Sequence, residues 1–418
     1  PRTITQVGDY LRVGRQTAHH ASSSLIRRGY ITKMTNPNDA RSQWLILTDK
    51  GMEAVVYYRN RIRSNVKGMC ILPFFLLTEP AEAKRLLIYR GRGLQGAKTK
   101  AYRNGYKGAM YPWEAARPEY GETTPERTAI YTGKKELHIS ADISHAVWKY
   151  YQATGDEEFM KQWGDEIILA TAVFWADRVE WDEDGRVCHI RDVIGPDEYK
   201  QRLTDNTYTN YMARNNLRLA VQIAERLEKE DPEYLEELNN RWEICEMLPK
   251  IRRAAEGIYL PPVGKDGILP QFAGYGKLQE MDLSYYKSFG KNAAAEIRKE
   301  HTVMELESLR VHKQADLVLL LQLFPELPEE AGGTQRRQVR EKNYEFYEKH
   351  TLHEASYSFA THSLMAASLG RTQEAYALFC QCCDVDLSSD GENAPAGIYA
   401  SNLKAISFVC LLFSKRDD

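Results

Sequence analysis

The stretch Asp156–Trp181 reads DEEFMKQWGDEIILATAVFWADRVEW. Its apolar residues Met160, Trp163, Ile167 and Phe174 recur three, four and seven positions apart, which lines one face of an α-helix. The same periodicity runs through PAEAKRLLIYRGRGLQGAKTKAYRNG from Pro80, DISHAVWKYYQATGD from Asp142 and YTNYMARNNLRLAVQIAERLEKE from Tyr208. It returns in LRVHKQADLVLLLQLF from Leu309 and FATHSLMAASLGRTQEAYALFCQCC from Phe359. Gly, Pro and Asn cluster between these segments, and few stretches alternate as strands do. The pattern predicts a mainly α chain whose paired helices form an α/α toroid, with polar motifs on the loops of one rim. No short repeat points to a solenoid, and Phe324 to Arg340 reads as a solvated loop.

Length and composition bound the possibilities. A chain of 418 residues allows two or three domains, or one large toroid with a small companion. The mean hydropathy of -0.54 is that of a soluble globular chain, and no apolar run approaches a membrane span. No basic-then-apolar leader opens the sequence, and Pro1 stands where an initiator Met would. The seven cysteines lack disulfide-framework spacing, so reduced thiols in a cytoplasm are expected. Cys380, Cys382 and Cys383 cluster on a helical pattern with no second ligand pair, so no metal is expected there. The net charge of -2 conceals a basic segment: residues 1–68 carry 12 Lys and Arg against 4 Asp and Glu. A basic module ahead of an acidic body fits a nucleic-acid reader joined to an enzyme, or merely a basic solvated face.

The most informative polar stretch is IRDVIGPDEYKQRLTDNTYTN, Ile190 to Asn210. It sets Glu198 on a Gly195-Pro196 turn beside Asp197 and Tyr199, then offers Asp205, Asn206, Tyr208, Thr209 and Asn210. Cleaving a sugar linkage needs an acid for the glycosidic oxygen, neutral polar groups for hydroxyls and aromatic faces for rings. Taken alone, a Glu after Gly-Pro-Asp is more often a solvated loop residue. Burial or the nearby Asp197 carboxylate is expected to raise the Glu198 pKa toward neutrality. Lys313 and Gln314 fall in a helical pattern of core residues, where burial without partners is costly. They are expected to face a polar cavity, with snorkelling at a helix end as the alternative. His138 and Asp142, one turn apart, fit capping and hydrogen bonding better than a metal.

Ordered blocks from Cys70 to Phe413 resemble glycoside hydrolase family 65, the disaccharide phosphorylases and their hydrolase relatives. They include CILPFFLLTEPAEAKRLLIYR, NGYKGAMYPWEAARPEYGETTP, HISADISHAVWKYYQATGDEEFM, the Glu198 stretch, DGILPQFAGY, VHKQADLVLLL, HEASYSFATHSLMAASLG and NAPAGIYASNL. The resemblance implies an (α/α)6 toroid and inverting cleavage of an α-linked glucose disaccharide, with Glu198 as general acid. Inorganic phosphate would be the nucleophile and co-substrate of a phosphorylase, with no other cofactor. In a hydrolase, Glu354 would serve as the base that activates water. Lys313 and Gln314 would bind the non-reducing sugar, and Trp113 and Glu114 the acceptor side. The chain departs from the family in three places. Arg63 to Met69, RSNVKGM, lacks the family's aromatic-Trp-Asp-Thr-Glu stretch. The family's β-sandwich, helical linker and first barrel helix are also expected to be missing, which would leave the first helix pair of the toroid incomplete. The phosphate loop is altered to Gly397-Ile398-Tyr399 and Lys404-Ala405-Ile406-Ser407, which leaves Tyr399, Lys404 and Ser407 as a poor phosphate pocket. Weak or absent turnover is expected.

Ile4 to Arg63 resembles instead the winged helix of the MarR regulators: two helices joined at Val13-Gly14, then a ribbon turning at Asn36-Pro37-Asn38-Asp39. The expected domains are therefore 1–67, a small α+β winged helix, and 68–418, the catalytic toroid. The resemblance implies contact with double-stranded DNA: Gln16, Thr17, His19, His20 and Ser23 in the major groove and Arg41 in the minor groove. Arg15, Arg27 and Arg28 would touch phosphates. The dimer helices of that family are absent, so reading paired half-sites would require a homodimer through another surface. Two alternatives to an enzyme follow. One is a sugar-responsive regulator with a degenerate glycosidase-like sensor; the other is a misassembly of two unrelated sequences.

Overall fold

The computed structural model describes residues 2–5, 19, 22–23, 25–27, 29–37, 39, 41–50, 72, 75–76, 78–115, 121–122, 131–329, 332–355 and 357–387. Strands β1 (Arg2–Thr3), β2 (Ile31–Thr35) and β3 (Gln43–Leu47) form an antiparallel sheet in the order β1-β3-β2. The β2–β3 turn is closed by Asn36, whose amide donates to the Ser42 hydroxyl at 2.7 Å, and by the Ser42 N–H on the Asp39 carbonyl at 3.0 Å.

Beyond this sheet the described residues are mainly helical. Helices α1 (Pro80–Arg92) and α2 (Leu94–Arg103) divide at Gly93 what the sequence presents as one periodic run. Helix α3 (Ile139–Thr154) ends at Gly155, whose φ of 64° is the left-handed conformation that glycine tolerates. The Asp156 carboxylate then caps the next helix by accepting from the Phe159 N–H at 3.0 Å. That helix widens into a π turn at Met160–Gly164 before α4 (Asp165–Arg178). The π turn seats Trp163 on Gly91 of α1, where a Cβ would lie 2.2 Å from the indole ring. A two-residue hairpin, β4 (Glu180–Trp181) with β5 (Cys188–His189), leads toward α5 (Thr207–Glu230), which is capped by Asn206. Then follow α6 (Pro232–Trp242), α7 (Ile244–Gly257), α8 (Asp316–Leu323), α9 (Gly333–Lys349), α10 (Ser358–Ser368) and α11 (Thr372–Leu387).

The main core joins α3, α4, α5, α7, α8 and α10 through Val147, Phe174, Trp175, Tyr208, Leu217, Ile251, Leu320 and Met365, all fully or almost fully buried. Each such side chain stabilises by about 1.5–3 kcal/mol relative to exposure. A second, smaller cluster gathers Leu283, Tyr286, Ile297, Leu306 and Val311 under Tyr199 and Leu352. It therefore packs directly behind two of the motif loops. No helix among the described residues is long and apolar enough to cross a membrane.

Two sequence expectations need correction. Residues 333–340 are helical, not a solvated loop: Arg340 is buried and donates to the Leu321 carbonyl at 2.6 Å, which docks α9 on α8. Lys313 and Gln314 do not lie on a helix but in the irregular segment before α8, which begins only at Asp316. The Lys313 backbone is engaged instead by the Asp197 carboxylate and the Glu354 N–H.

Candidate active site

Gly195 permits the turn that carries Glu198. A Cβ there would sit 2.3 Å from Asp316 Oδ2 and 2.6 Å from Asn206 Nδ2, so only glycine lets these buried groups approach. The Asp316 carboxyl accepts from the Asp197 N–H at 2.7 Å with one oxygen and from Asn206 Nδ2 at 2.7 Å with the other. Asp197 itself is wholly buried. Its Oδ2 accepts from His312 Nδ1 at 2.7 Å and Gln271 Nε2 at 3.1 Å, and its Oδ1 accepts from the Lys313 N–H at 2.9 Å. With Nδ1 donating, His312 Nε2 accepts from the Tyr275 hydroxyl at 2.8 Å. Burial holds the His312 ring below its usual pKa, in the neutral form. Burial, then the Asp197 charge, pushes the Asp316 carboxyl well above the usual range.

Both Asp197 oxygens are engaged in fastening the Glu198 turn to the Lys313 segment.

The fastening sets Lys313 Nζ 3.1 Å from Glu198 Oε2, with both side chains about one-fifth exposed. Burial opposes the Lys313 charge, but the Glu198 and Glu354 carboxylates outweigh it and hold the ammonium above its usual pKa. Gln314 Nε2 donates to the Pro196 carbonyl, while Gln314 Oε1 is buried with no hydrogen-bond partner among the described residues. Glu354 joins the group through its N–H on the Lys313 carbonyl at 3.1 Å. Its carboxylate accepts from the Tyr199 hydroxyl and pairs with Arg298 Nη1 at 2.6 Å. The structure thus brings Glu198, Lys313, Gln314 and Glu354 together from three segments, the Glu198 turn lying more than a hundred residues before the other two.

The Glu354 loop is held by a buried knot. His353 adopts a φ of 55°, and its ring meets Glu348 Oε1 at 3.1 Å and the Ser358 hydroxyl at 2.9 Å. His362 Nδ1 donates to Glu348 Oε2. Burial depresses the His353 pKa to about 4. Glu348, His353 and His362 are the one group of His, Cys, Asp and Glu among the described residues close enough to gather round a metal ion. The Lys287 ammonium, 3.0 Å from Glu348 Oε1, already supplies a cation there, so the cluster reads as a structural clasp.

Trp113 and Glu114 are half-buried, and their N–H groups donate to Glu122 at 2.8 and 3.1 Å. Glu122 pairs with Lys100 at 2.7 Å, and Lys100 also donates to the Gly133 carbonyl at 2.7 Å. Three residues on stands Glu136, which sequence reasoning missed. Burial, then the charge of Glu198, pushes its carboxyl well above the usual range. Nothing marks it in the sequence beyond its place two residues before His138. His138 is hydrogen-bonded to Asp142 at 2.8 Å, as expected, but its side chain does not cap α3.

His19 and Arg41 are exposed, Ser23 Oγ lies 3.5 Å from His19 Nδ1, and the Arg41 N–H donates to Asp39 at 3.0 Å. Gln16, Thr17, His20, Tyr399, Lys404 and Ser407 lie outside the described residues, as does the Val13-Gly14 turn.

Residues 32–407 match the glycosyl hydrolase family 65 central catalytic domain, and the chain belongs to that family. The match begins inside the segment read from sequence as a winged helix. The chain is 37% identical over 389 residues to the kojibiose phosphorylase of Halothermothrix orenii, covering 90% of this chain and 48% of that protein. It is 33% identical over 344 residues to the α,α-trehalose phosphorylase of Thermoanaerobacter brockii, covering 80% and 41%. It spans about half the length of the curated relatives it matches. A solved structure described as a candidate kojibiose phosphorylase from the human microbiome shares the fold, with a TM-score of 0.72 at 22% identity over 84% of this chain and 49% of that one.

Proposed function

We propose that this chain carries the chemistry of an inverting disaccharide phosphorylase acting on an α-glucoside. Glu198 would donate its proton to the leaving glycosidic oxygen while inorganic phosphate attacks the anomeric carbon from the opposite face, giving β-glucose 1-phosphate and a free sugar. The observation that carries this reading is the gathering of Glu198, Lys313, Gln314 and Glu354 around the Asp197 brace, in a chain whose curated relatives are disaccharide phosphorylases. Lys313 and Gln314 would hold the non-reducing glucose, with Trp113 and Glu114 on the acceptor side. Phosphate is favoured over water because the Glu354 carboxylate is already engaged by Arg298 and Tyr199 and is poorly placed to act as a base. The reading includes an (α/α)6 toroid for residues 68–418 and turnover weakened by the altered Tyr399, Lys404 and Ser407 loop.

The test is release of glucose and glucose 1-phosphate from kojibiose, trehalose, nigerose and maltose, with and without phosphate. Phosphate-dependent glucose 1-phosphate that falls at least about 100-fold in Glu198→Gln supports the reading. Phosphate-independent glucose, lost in both Glu198→Gln and Glu354→Gln, would replace it with hydrolysis.

A second reading concerns the N-terminal segment alone. The β1-β3-β2 order, with exposed Arg41 on the β2–β3 turn, supports a winged-helix module at residues 1–67 that touches double-stranded DNA. Titrating a fluorescent duplex at two salt concentrations tests it: sequence-selective binding that persists at the higher salt is expected, and binding wholly erased by salt would overturn it. The phosphorylase relatives favour an enzyme over a sugar-sensing regulator.

A further inference from the structure

Three of the nine buried side-chain atoms without a hydrogen-bond partner among the described residues fall around Glu198 and Lys313. One is Gln314 Oε1; the others are Glu136 Oε1 and His138 Nε2. Unpartnered buried polar atoms are rare, and each needs a reason. Glu136 is 4% exposed and His138 5%, and Glu136 Oε2 lies 3.8 Å from His138 Nε2, too far for a direct bond but within reach of one shared hydroxyl.

We propose that Glu136 and His138 form a sugar-hydroxyl subsite beside the Glu198–Lys313 pair. The partners behind each residue fix what it offers. Asp142 accepts from His138 Nδ1 at 2.8 Å and from the Tyr208 hydroxyl at 3.1 Å, so the His138 proton resides on Nδ1. His138 Nε2 is then a lone pair, able to accept from a sugar O–H. Glu136 feels the Glu198, Asp142 and Asp316 carboxyls as well as the Lys313 ammonium. Burial among three other carboxyls favours its protonated form, which offers one O–H donor and one carbonyl acceptor. A single hydroxyl between them can donate to His138 Nε2 while accepting from Glu136 Oε2, which satisfies the orphan nitrogen and leaves Glu136 Oε1 as an acceptor for a further ligand O–H. The arrangement recognises a neutral hydroxyl and disfavours an anion, which keeps phosphate out of this corner. His138 is fixed by α3, whose helical run starts at the next residue, and the Glu136 backbone by its N–H on the Thr132 carbonyl at 2.9 Å, so the pair is preorganised.

This inference rests on the phosphorylase reading for its ligand class, but its test does not require turnover. Glucose and its four monodeoxy analogues at C2, C3, C4 and C6 are titrated by calorimetry into wild type, Glu136→Gln, Glu136→Ala and His138→Ala. The folded state of each variant is verified by circular dichroism. One monodeoxyglucose is expected to bind wild type at least about 10-fold more weakly than glucose, the cost of leaving buried polar groups unpaired. Glu136→Ala and His138→Ala are expected to lose that same discrimination and no other. Glu136→Gln, neutral and still able to donate and accept, should keep it. Equal discrimination by wild type and both alanine variants at every position overturns the proposal, as does wild type that binds all five sugars alike or none. Should the alanine variants fail to fold, the apolar near-isosteres Glu136→Met and His138→Phe are expected to lose the same discrimination, and their keeping it overturns the proposal. Intact binding with no turnover on any disaccharide would sink the phosphorylase reading and leave the subsite standing.

Discussion

Replacing Asp197 with Asn tests whether one buried carboxylate assembles the site. The substitution preserves shape but gives one side of the group an NH2 where an acceptor stood. If that NH2 faces Oδ1's partners, it opposes the Lys313 N–H at 2.9 Å. If it faces Oδ2's, it opposes His312 Nδ1 at 2.7 Å and Gln271 Nε2 at 3.1 Å. His312 can relieve the second clash by moving its proton to Nε2, but the Tyr275 hydroxyl must then find another acceptor. Either way one charge-assisted bond is lost and a buried donor is stranded. At about 1.5–3 kcal/mol for such a bond, the total is about 3 kcal/mol of folding stability. Urea unfolding followed by tryptophan fluorescence reads that loss. Activity should fall further than stability implies, because a displacement of about 1 Å at Lys313 can cost about 100-fold in rate. Asp197→Asn with an unfolding free energy within about 0.5 kcal/mol of wild type and an unchanged kcat would refute the role given to Asp197.

Gly195→Ala should cost about 1–3 kcal/mol and depress kcat, since its Cβ would press on Asp316 and Asn206; a thermal melt and rate matching wild type would count against the close approach. Glu354→Gln should leave phosphate-dependent turnover within about tenfold of wild type, whereas a loss as deep as that of Glu198→Gln would make Glu354 part of the chemistry. Buried His145 has its pKa depressed by burial to about 3. Below pH about 6.5 the unfolded chain protonates this histidine and the folded one does not, so its contribution to stability falls as the pH drops. The stability of wild type relative to His145→Gln should therefore decline by about 1.4 kcal/mol per pH unit from pH 6.5 toward 4, and a pH-independent difference would refute the assignment.

Much of the fold was legible because helical periodicity is a local property. Asp156–Trp181, Tyr208–Glu230 and Phe359–Cys383 are helical broadly where their spacing places them. The misreadings have local causes too. The apolar run after Lys313 extends the helical pattern backward, but the Lys313 N–H bonds to Asp197 instead of to a helical carbonyl. The Pro, Glu and Gly of Phe324–Arg340 mask a helix whose inner face is docked by Arg340.

The sequence by itself supplied the candidates, because Glu198, Lys313, Gln314, Trp113 and Glu114 sit in short motifs, and the fold brings the first three together. Only the tertiary structure decided what each does beside the others. Asp197 next to Glu198 looks, in one dimension, like a partner that tunes an acid; in space its oxygens point to His312 and Lys313 and hold two loops together. Glu136 carries no motif, yet burial near Glu198 pushes its carboxyl pKa up and leaves its Oε1 without a hydrogen-bond partner among the described residues. Desolvation and the satisfaction of buried hydrogen bonds depend on groups far away along the chain, and no window of sequence contains them.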